Sequence, residues 1–454
     1  MSSFLGIELG LRALRAFQIG MEVTGHNVAN VNTPGYTRRR VRFANTPEFA
    51  FSPQVRLGTG VMAQSIQRLR DMMLEQRLNT NSGDLARWSA LSESLHAIEG
   101  LFNEPSDTGV SARLNALFNA FEELATRPDS LAARQQVLQS ARALTETLRS
   151  LHRNLTTLED QLQSRMVSTI EQANQLAQQV ARLNEPIRSA YSSGGESGDL
   201  LDQRDRLVAQ LSELVGARTH YNDDGSVRLF VDGQTLVQDG AAFALSTQID
   251  LANRALDSTP TDIHISSGQL RGLMDSVAQL QRYRADLNTF ANALITQVNA
   301  LHSTGFGLDN NTGYLFFSGT DASNIDLHAD VSDPDHIAAS AVSGVPGNNG
   351  IAQALADLRN APQASLGGQS LTQYYRTLIG GIGSDAQVSR NRAESQQLTV
   401  EHLYTLRESV SGVSLDEEAA NLVRFQRGYQ AAAKVVSTFD SLLQDLLQFV
   451  APRA

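Results

Sequence analysis

The chain has 454 residues, 41% of them hydrophobic and 19% charged, as in a soluble globular protein of roughly two to four domains. A formal net charge of −11 excludes a general nucleic-acid binder, because neutralising phosphates takes a concentrated basic surface. With no cysteine, disulfides, thiolate metal sites and cysteine nucleophiles are excluded as well.

The opening MSSFLGIELGLRALRAFQIG lacks the basic start and unbroken apolar centre of a cleaved signal peptide, so export would use a route that reads an uncleaved terminus. Ile7, Leu11, Leu14, Phe17, Met21 and Val28 recur at spacings of three, four and seven, which gathers them on one helical stripe ending near Asn30 or Asn32. Thr33-Pro34-Gly35-Tyr36 predicts a type II turn, with proline presetting the second position and glycine supplying positive φ at the third. Beyond it, Arg38, Arg39, Arg40 and Arg42 form the dense basic cluster of the chain, on a strand expected to face solvent or a partner.

Long helical patterns follow. Ala141, Leu148, Leu155 and Leu162 keep one heptad register and Met166, Ala173 and Val180 another, separated by a four-residue stutter, and Pro186 is expected to end this helix. SSGGESGD, 192–199, is a flexible breaker, after which Asp199 and Asp202 read as a capped helix start for LLDQRDRLVAQLSELV. Asp224-Gly225 and Asp232-Gly233 bracket the alternating Val227, Leu229 and Val231, which predicts a β-meander. Another helix carries Leu273, Leu280, Leu287, Leu294 and Leu301, and 303–350 reads as loops with short strands.

At the far end, Leu415, Leu422, Tyr429, Val436, Leu443 and Val450 recur every seven residues. Phe425, Phe439 and Leu446, with Ala432, fill the positions three residues on. Such a seam cannot be buried by a lone helix, so the two chain ends are expected to pack together or against neighbouring copies. No apolar run approaches the roughly 18 residues of a membrane span, so no membrane insertion is expected.

Chemistry is sparse. The lone lysine, Lys434, lies in AAAKVV and not after a glycine loop, so no phosphate-binding loop is present; HExxH is absent and the histidines are scattered. His26 reads as a helix-surface residue, DNNTG (309–313) as a turn rather than a calcium loop, and GGESG as no nucleophile elbow. Asp202 and Asp205 could be imagined as paired catalytic carboxylates, but an Asp202–Arg206 i,i+4 ion pair is the simpler account.

GHNVANVNTPGYTRR resembles the amino-terminal signature of bacterial flagellar axial proteins: rod, hook and hook-associated subunits. GTGVMAQSIQRLRD, DLLDQRDRLVAQLSELVG and SGVSLDEEAANLVRFQRGYQAAAKVVSTFD narrow the resemblance to the FlgK-type hook-associated family of hook–filament junction proteins, over roughly residues 1 to 320 and 370 to 450. The region between GYLFFSGTD and YYRTLIG is short where longer relatives insert β domains.

The resemblance implies a non-catalytic structural adapter, without cofactor or metal, at the extracellular hook–filament junction. Its partners would be other copies in a ring, the hook subunit, a second junction protein, and a cytoplasmic export chaperone on the carboxyl-terminal helix. A sibling axial role and a secreted enzyme are the alternatives.

The expected fold is mainly α with a smaller β-containing insert, elongated, with discontinuous domains. Residues 1–60 with 411–454 would pair the terminal helices as a coiled coil; 61–215 with 265–302 and 351–410 would form a helical bundle; 216–264 with 303–350 would hold the β-rich insert. In this reading Asn27, Asn30 and Asn32 offer side-chain amides to neighbouring subunits or cap their own helix, while Pro34 and Gly35 fix the helix exit beside Thr33 and Tyr36.

Overall fold

The computed structural model describes residues 2–52, 55–195, 197–257 and 262–450. The order is α1 (Ser2–Ala29), β1 (Arg39–Asn45), β2 (Phe49–Ser52), β3 (Val55–Leu57), β4 (Val61–Arg68), α2 (Met72–Phe102), α3 (Val110–Thr126), α4 (Leu131–Ser192) and α5 (Gly198–Val215). Then come β5 (Arg218–Tyr221), β6 (Val227–Val231), β7 (Gln234–Gln238), β8 (Ala241–Ala242), β9 (Ile249–Asp250), β10 (Ala255–Leu256) and β11 (Ile263–His264). The chain closes with α6 (Gly268–His302), β12 (Phe317–Ser318), β13 (Asp326–Leu327), α7 (Gly350–Asp357), α8 (Leu371–Ser411) and α9 (Leu415–Val450). The protein is mainly helical, with its strands in small antiparallel sheets.

Two compact units emerge. One takes Met1–Asp84, Glu171–Leu245 and Gln396–Ala454, the other Leu85–Ile170 and Ser246–Ser395. The β-meander β5-β6-β7-β8 falls in the first unit, whereas β9, β10 and β11 fall with the 303–350 region in the second, so the boundary between the units runs through the stretch 216–264. The heptad positions of α4 are buried as the periodicity demands, Ala141, Leu148, Leu155, Ala173 and Val180 completely so. Leu273, Leu280, Leu287 and Leu294 of α6 are also fully buried.

One boundary differs from expectation. Pro186 sits inside α4, which continues to Ser192. An interior proline costs roughly 3 kcal/mol, but the turns beyond it are anchored: Ile187 is buried, and the Tyr191 ring occupies the space a side chain at Gly225 would need. Asn184 Nδ2 also donates to the Val227 carbonyl at 2.9 Å, tying the helix to the meander.

In the first unit the terminal helices pair antiparallel. Gly6 faces the Phe439 ring, Gly10 faces Val436, Phe17 faces Gly428 and Gly20 faces the Phe425 ring, so that the contact climbs α1 as it descends α9. Glycine is required at these places because a Cβ would strike the opposing side chain. Each helical glycine costs about 1 kcal/mol in propensity, which burial of a Phe, worth about 2–3 kcal/mol, offsets.

The expected seam is therefore split. Phe425, Val436 and Phe439 face α1, with Ala432 buried beside them, whereas Leu415, Leu422 and Tyr429 are 53%, 42% and 37% exposed. On α1 the seam is the glycine row, one residue before the expected stripe. Ile7, Leu14 and Met21 are half-buried, and Leu11 and Val28 are exposed. Leu443 is half-buried; the side chains of Leu446 and Val450 lie outside the described residues.

Gly10→Leu should force the helices apart, lowering the stability of the paired termini by about 1–3 kcal/mol and exposing both ends to limited proteolysis. In the second unit, fully buried His302 donates Nδ1–H to the Tyr314 carbonyl at 2.8 Å and accepts the Ala338 N–H at Nε2, 2.9 Å away. The bond accepted at Nε2 needs the neutral ring, and burial pushes its pKa down to about 4. The folded value lies below the unfolded one, so this stabilisation, about 3 kcal/mol in full, is present above pH 6.5 and lost as pH falls toward 4. His302→Gln should flatten the pH dependence of urea unfolding across that window.

Candidate functional site: the polar knot at the base of the terminal helices

The loop after α1 is set locally. Asn30 Nδ2 donates to the His26 carbonyl at 2.9 Å, capping α1, and the Thr33 hydroxyl donates to Asn30 Oδ1 at 3.1 Å. The Tyr36 N–H reaches the Thr33 carbonyl at 3.1 Å and Gly35 has φ +76°, the bond and the geometry of the expected type II turn. Arg206 of α5 lies against Gly35, where a Cβ would strike it, and its Nη1 donates to the Pro34 carbonyl at 3.1 Å.

The turn folds Tyr36 back onto α1. Its hydroxyl donates to Asn27 Oδ1 at 2.7 Å, and the same oxygen accepts the Arg39 N–H at 3.0 Å. Asn27 Nδ2 donates to the Arg39 carbonyl at 2.8 Å and to Glu418 Oε2 at 3.1 Å. All four bonds an amide can make are used, at a residue 1% exposed. Asn27 thus has no amide left for a neighbouring subunit, and Asn30 caps its own helix; of the three asparagines, Asn32 is the one that is fully surface-exposed.

Around this amide, arginines and carboxylates alternate. Arg38 donates Nε to Glu418 Oε1 at 2.8 Å and Nη1 to Glu417 at 2.5 Å. Arg39 bridges Asp199 at 2.5 Å and Asp202 at 3.2 Å. Arg68, at the end of β4, joins Asp202 at 2.6 Å to Asp205 at 2.8 Å, and Asp205 also takes Arg70 and Arg204 at 2.8 and 2.7 Å. Arg70 donates further to the Tyr221 hydroxyl at 2.7 Å. The network thereby ties the loop after α1, the first turns of α5 and the start of α9 into one joint.

Burial would raise the Asp205 carboxyl, but Arg204, Arg70 and Arg68 outweigh it and hold it down to about 2. Burial pushes the Tyr36 hydroxyl up to about 12, keeping it a donor to Asn27 at any ordinary pH. A hydrogen bond from Arg39 holds Asp199 below the usual carboxylate range.

Two expectations are corrected here. Asp202 does not pair with Arg206: an exposed i,i+4 pair contributes about 0.2–0.5 kcal/mol, and two arginines from β1 and β4 claim the buried carboxylate instead. Asp199 does not cap α5 in the expected way; Ser197 is the N-cap, without a side-chain cap bond, and Asp199 holds Arg39. Arg38 and Arg39 are likewise absorbed internally, while Arg40 and Arg42 remain exposed. Arg68, Arg70, Arg204, Glu417 and Glu418 were not singled out by their pattern, since partners up to 391 residues apart leave no local signal.

Among the described residues, no group of three or more His, Cys, Asp or Glu could hold a metal ion, and no helix is long and apolar enough to cross a membrane. What the site can do is mechanical: it locks the register and exit angle of the terminal helices.

Three family models match non-overlapping stretches: "Flagella basal body rod protein" over 7–37, "Flagellar hook-associated protein FlgK helical domain" over 95–317, and "Flagellar basal body rod FlgEFG protein C-terminal" over 407–449. The end models fall on α1 with its turn and on α9 with the last residues of α8, the elements the knot joins. The chain is therefore a flagellar axial protein.

Over almost its whole length it is also similar to flagellar hook-associated protein 1 of Bacillus subtilis (28% identical over 501 positions, 98% of each chain) and of Salmonella typhimurium (26% over 553 positions, 97% of this chain and 99% of that one). The fold matches the structure of the flagellar hook junction protein FlgK from Burkholderia pseudomallei, with a TM-score of 0.63 at 16% identity, covering 74% of this chain and all of that one. Within the axial class, the chain belongs to the FlgK-type hook-associated proteins.

Asn27→Ala strips partners from Glu418, Tyr36 and the Arg39 backbone together. It should destabilise the first unit by about 2–4 kcal/mol in denaturant melts, with far more loss than Asn32→Ala.

Proposed function

We propose that the protein is a structural subunit of the bacterial flagellum that joins the hook to the filament and carries no catalytic activity. One observation carries the position: the match over 95–317 is to the helical domain of a hook-associated protein, whereas the rod models match only the two ends.

The physical means of assembly is supported by the terminal helices. After α1 and α9 have closed on one another, Leu11 and Val28 on α1 and Leu415, Leu422, Val423 and Tyr429 on α9 are still more than a third exposed. Burying apolar area at about 25 cal/mol per Å² favours covering such faces with neighbouring copies, and subunits stacked through unlike surfaces give a heterologous, propagating contact.

In this reading, copies form a ring with the hook subunit on one side and a second junction protein on the other. A cytoplasmic chaperone holds α9 before export, and the protein then resides outside the cell at the junction. Asp202 and Asp205 serve as anchors for Arg39, Arg68, Arg70 and Arg204, not as an acid–base pair.

Leu422→Asp should leave the melting of the isolated protein within about 0.5 kcal/mol of the parent, yet cells carrying it should shed filaments and lose motility. Normal motility would refute the reading. Immunogold labelling of isolated hook structures should give a single band at the distal end; a signal along the whole hook would assign the chain to the hook itself.

A further inference from the structure

In the second unit, three arginines from separate segments converge on one carboxylate. Arg87 of α2 donates Nε and Nη2 to Asp275 Oδ2 at 3.1 and 2.9 Å. Arg254, in the turn between β9 and β10, donates Nε to Oδ1 at 2.7 Å, and Arg271, one helical turn before Asp275, donates Nε to the same oxygen at 3.0 Å. A carboxylate offers about four acceptor sites, so these four bonds saturate Asp275.

Among the described residues, the arginines are far from saturated. Each guanidinium carries five N–H donors, and the one further bond described for the three is from Arg271 Nη1 to the Ile265 carbonyl at 2.8 Å. The ion pairs of all three end on this carboxylate. Asp385, which lines the same cavity, is engaged by Arg282 at 3.0 Å and by the Tyr283 hydroxyl at 2.6 Å. Three positive charges therefore meet one negative charge, in a chain whose net charge is −11.

The cluster borders a cavity. About 400 Å³ of space is lined by the three arginines together with Trp88, Leu91, Leu95 and Val388. The Arg87 guanidinium stacks over the Trp88 ring, 5.0 Å from its centroid, which fixes one fork in orientation. Arg254 has φ +51°, a left-handed conformation uncommon outside glycine, and that strain is held where the side chain reaches the cluster.

We propose that this pocket binds an oxyanion bearing about two negative charges, gripped by the free guanidinium edges of Arg254, Arg271 and Arg87. A free phosphate and the adjacent carboxylates of an acidic peptide present the same chemistry. Nothing in the axial packing of the terminal helices requires such a site.

Isothermal titration of the full-length protein at low ionic strength, with inorganic phosphate and separately with a triglutamate peptide, tests the assignment. One of the two should bind saturably at a single site and weaken as sodium chloride is added; the tighter one identifies the source of the anion. Arg254→Gln and Arg271→Gln should each weaken it by about tenfold or more with unchanged circular dichroism, while Arg165→Gln, which breaks an exposed pair with Glu93 elsewhere in the unit, should leave it unaltered. Absence of saturable binding by either probe at millimolar concentration, or equal affinity in a folded Arg254→Gln protein, would overturn the proposal.

Discussion

The close approach of α1 to α9 governs the rest of the first unit. Phe425 and Phe439 fit only where Gly20 and Gly6 leave the helix surface bare, and Phe17 fits only over Gly428. Large side chains against missing ones set a register that cannot slide, since a shift by one residue would drive a ring into a backbone. That register brings Asn27 to Glu418, and Glu418 in turn places Arg38. From the adjacent Arg39 the chain of ion pairs runs on through Asp202, Arg68 and Asp205.

A buried ionic network of this kind is a poor source of net stability, because desolvating each charge costs several kcal/mol that the pairing only repays. Its physical value is in what it forbids. Removing one partner leaves another charge buried without compensation, so the joint has one satisfied arrangement and no cheap alternatives. The turn at Thr33–Tyr36, the first turns of α5 and the start of α9 are thereby held as one rigid corner, from which the paired helices project.

The same geometry explains how the helix pair closes on itself and still leaves apolar side chains exposed. A helix pair buries one face of each helix, and here that face is made by glycines of one helix against Phe or Val side chains of the other. Other apolar side chains, Leu11, Val28, Leu415, Leu422 and Tyr429, lie off that face and remain exposed. Of the α9 seam, the Phe425–Ala432–Phe439 row is housed against α1, and the Leu415–Leu422–Tyr429 row is left exposed.

Periodicity in the sequence determined the long helices, the meander and the turn after α1, because each is dictated by interactions within a few residues: the 3.6-residue repeat of α4 and α6, the alternation in β6, the φ restrictions of Pro34 and Gly35. The motif residues around Asn27 were legible as a family signature without their role being legible. What only the tertiary structure decided is which face meets which. Hydrophobic spacing marks large side chains such as Phe425, Val436 and Phe439, but on α1 the facing surface is a row of glycines, which carry no hydrophobic signal. Likewise the helix continues past Pro186, where Ile187 is buried and Tyr191 packs at the Gly225 turn, and Asp202 abandons its helical neighbour for arginines more than a hundred residues away. Local propensities amount to tenths of a kcal/mol up to a few, and packing or buried pairing between remote segments outweighs them.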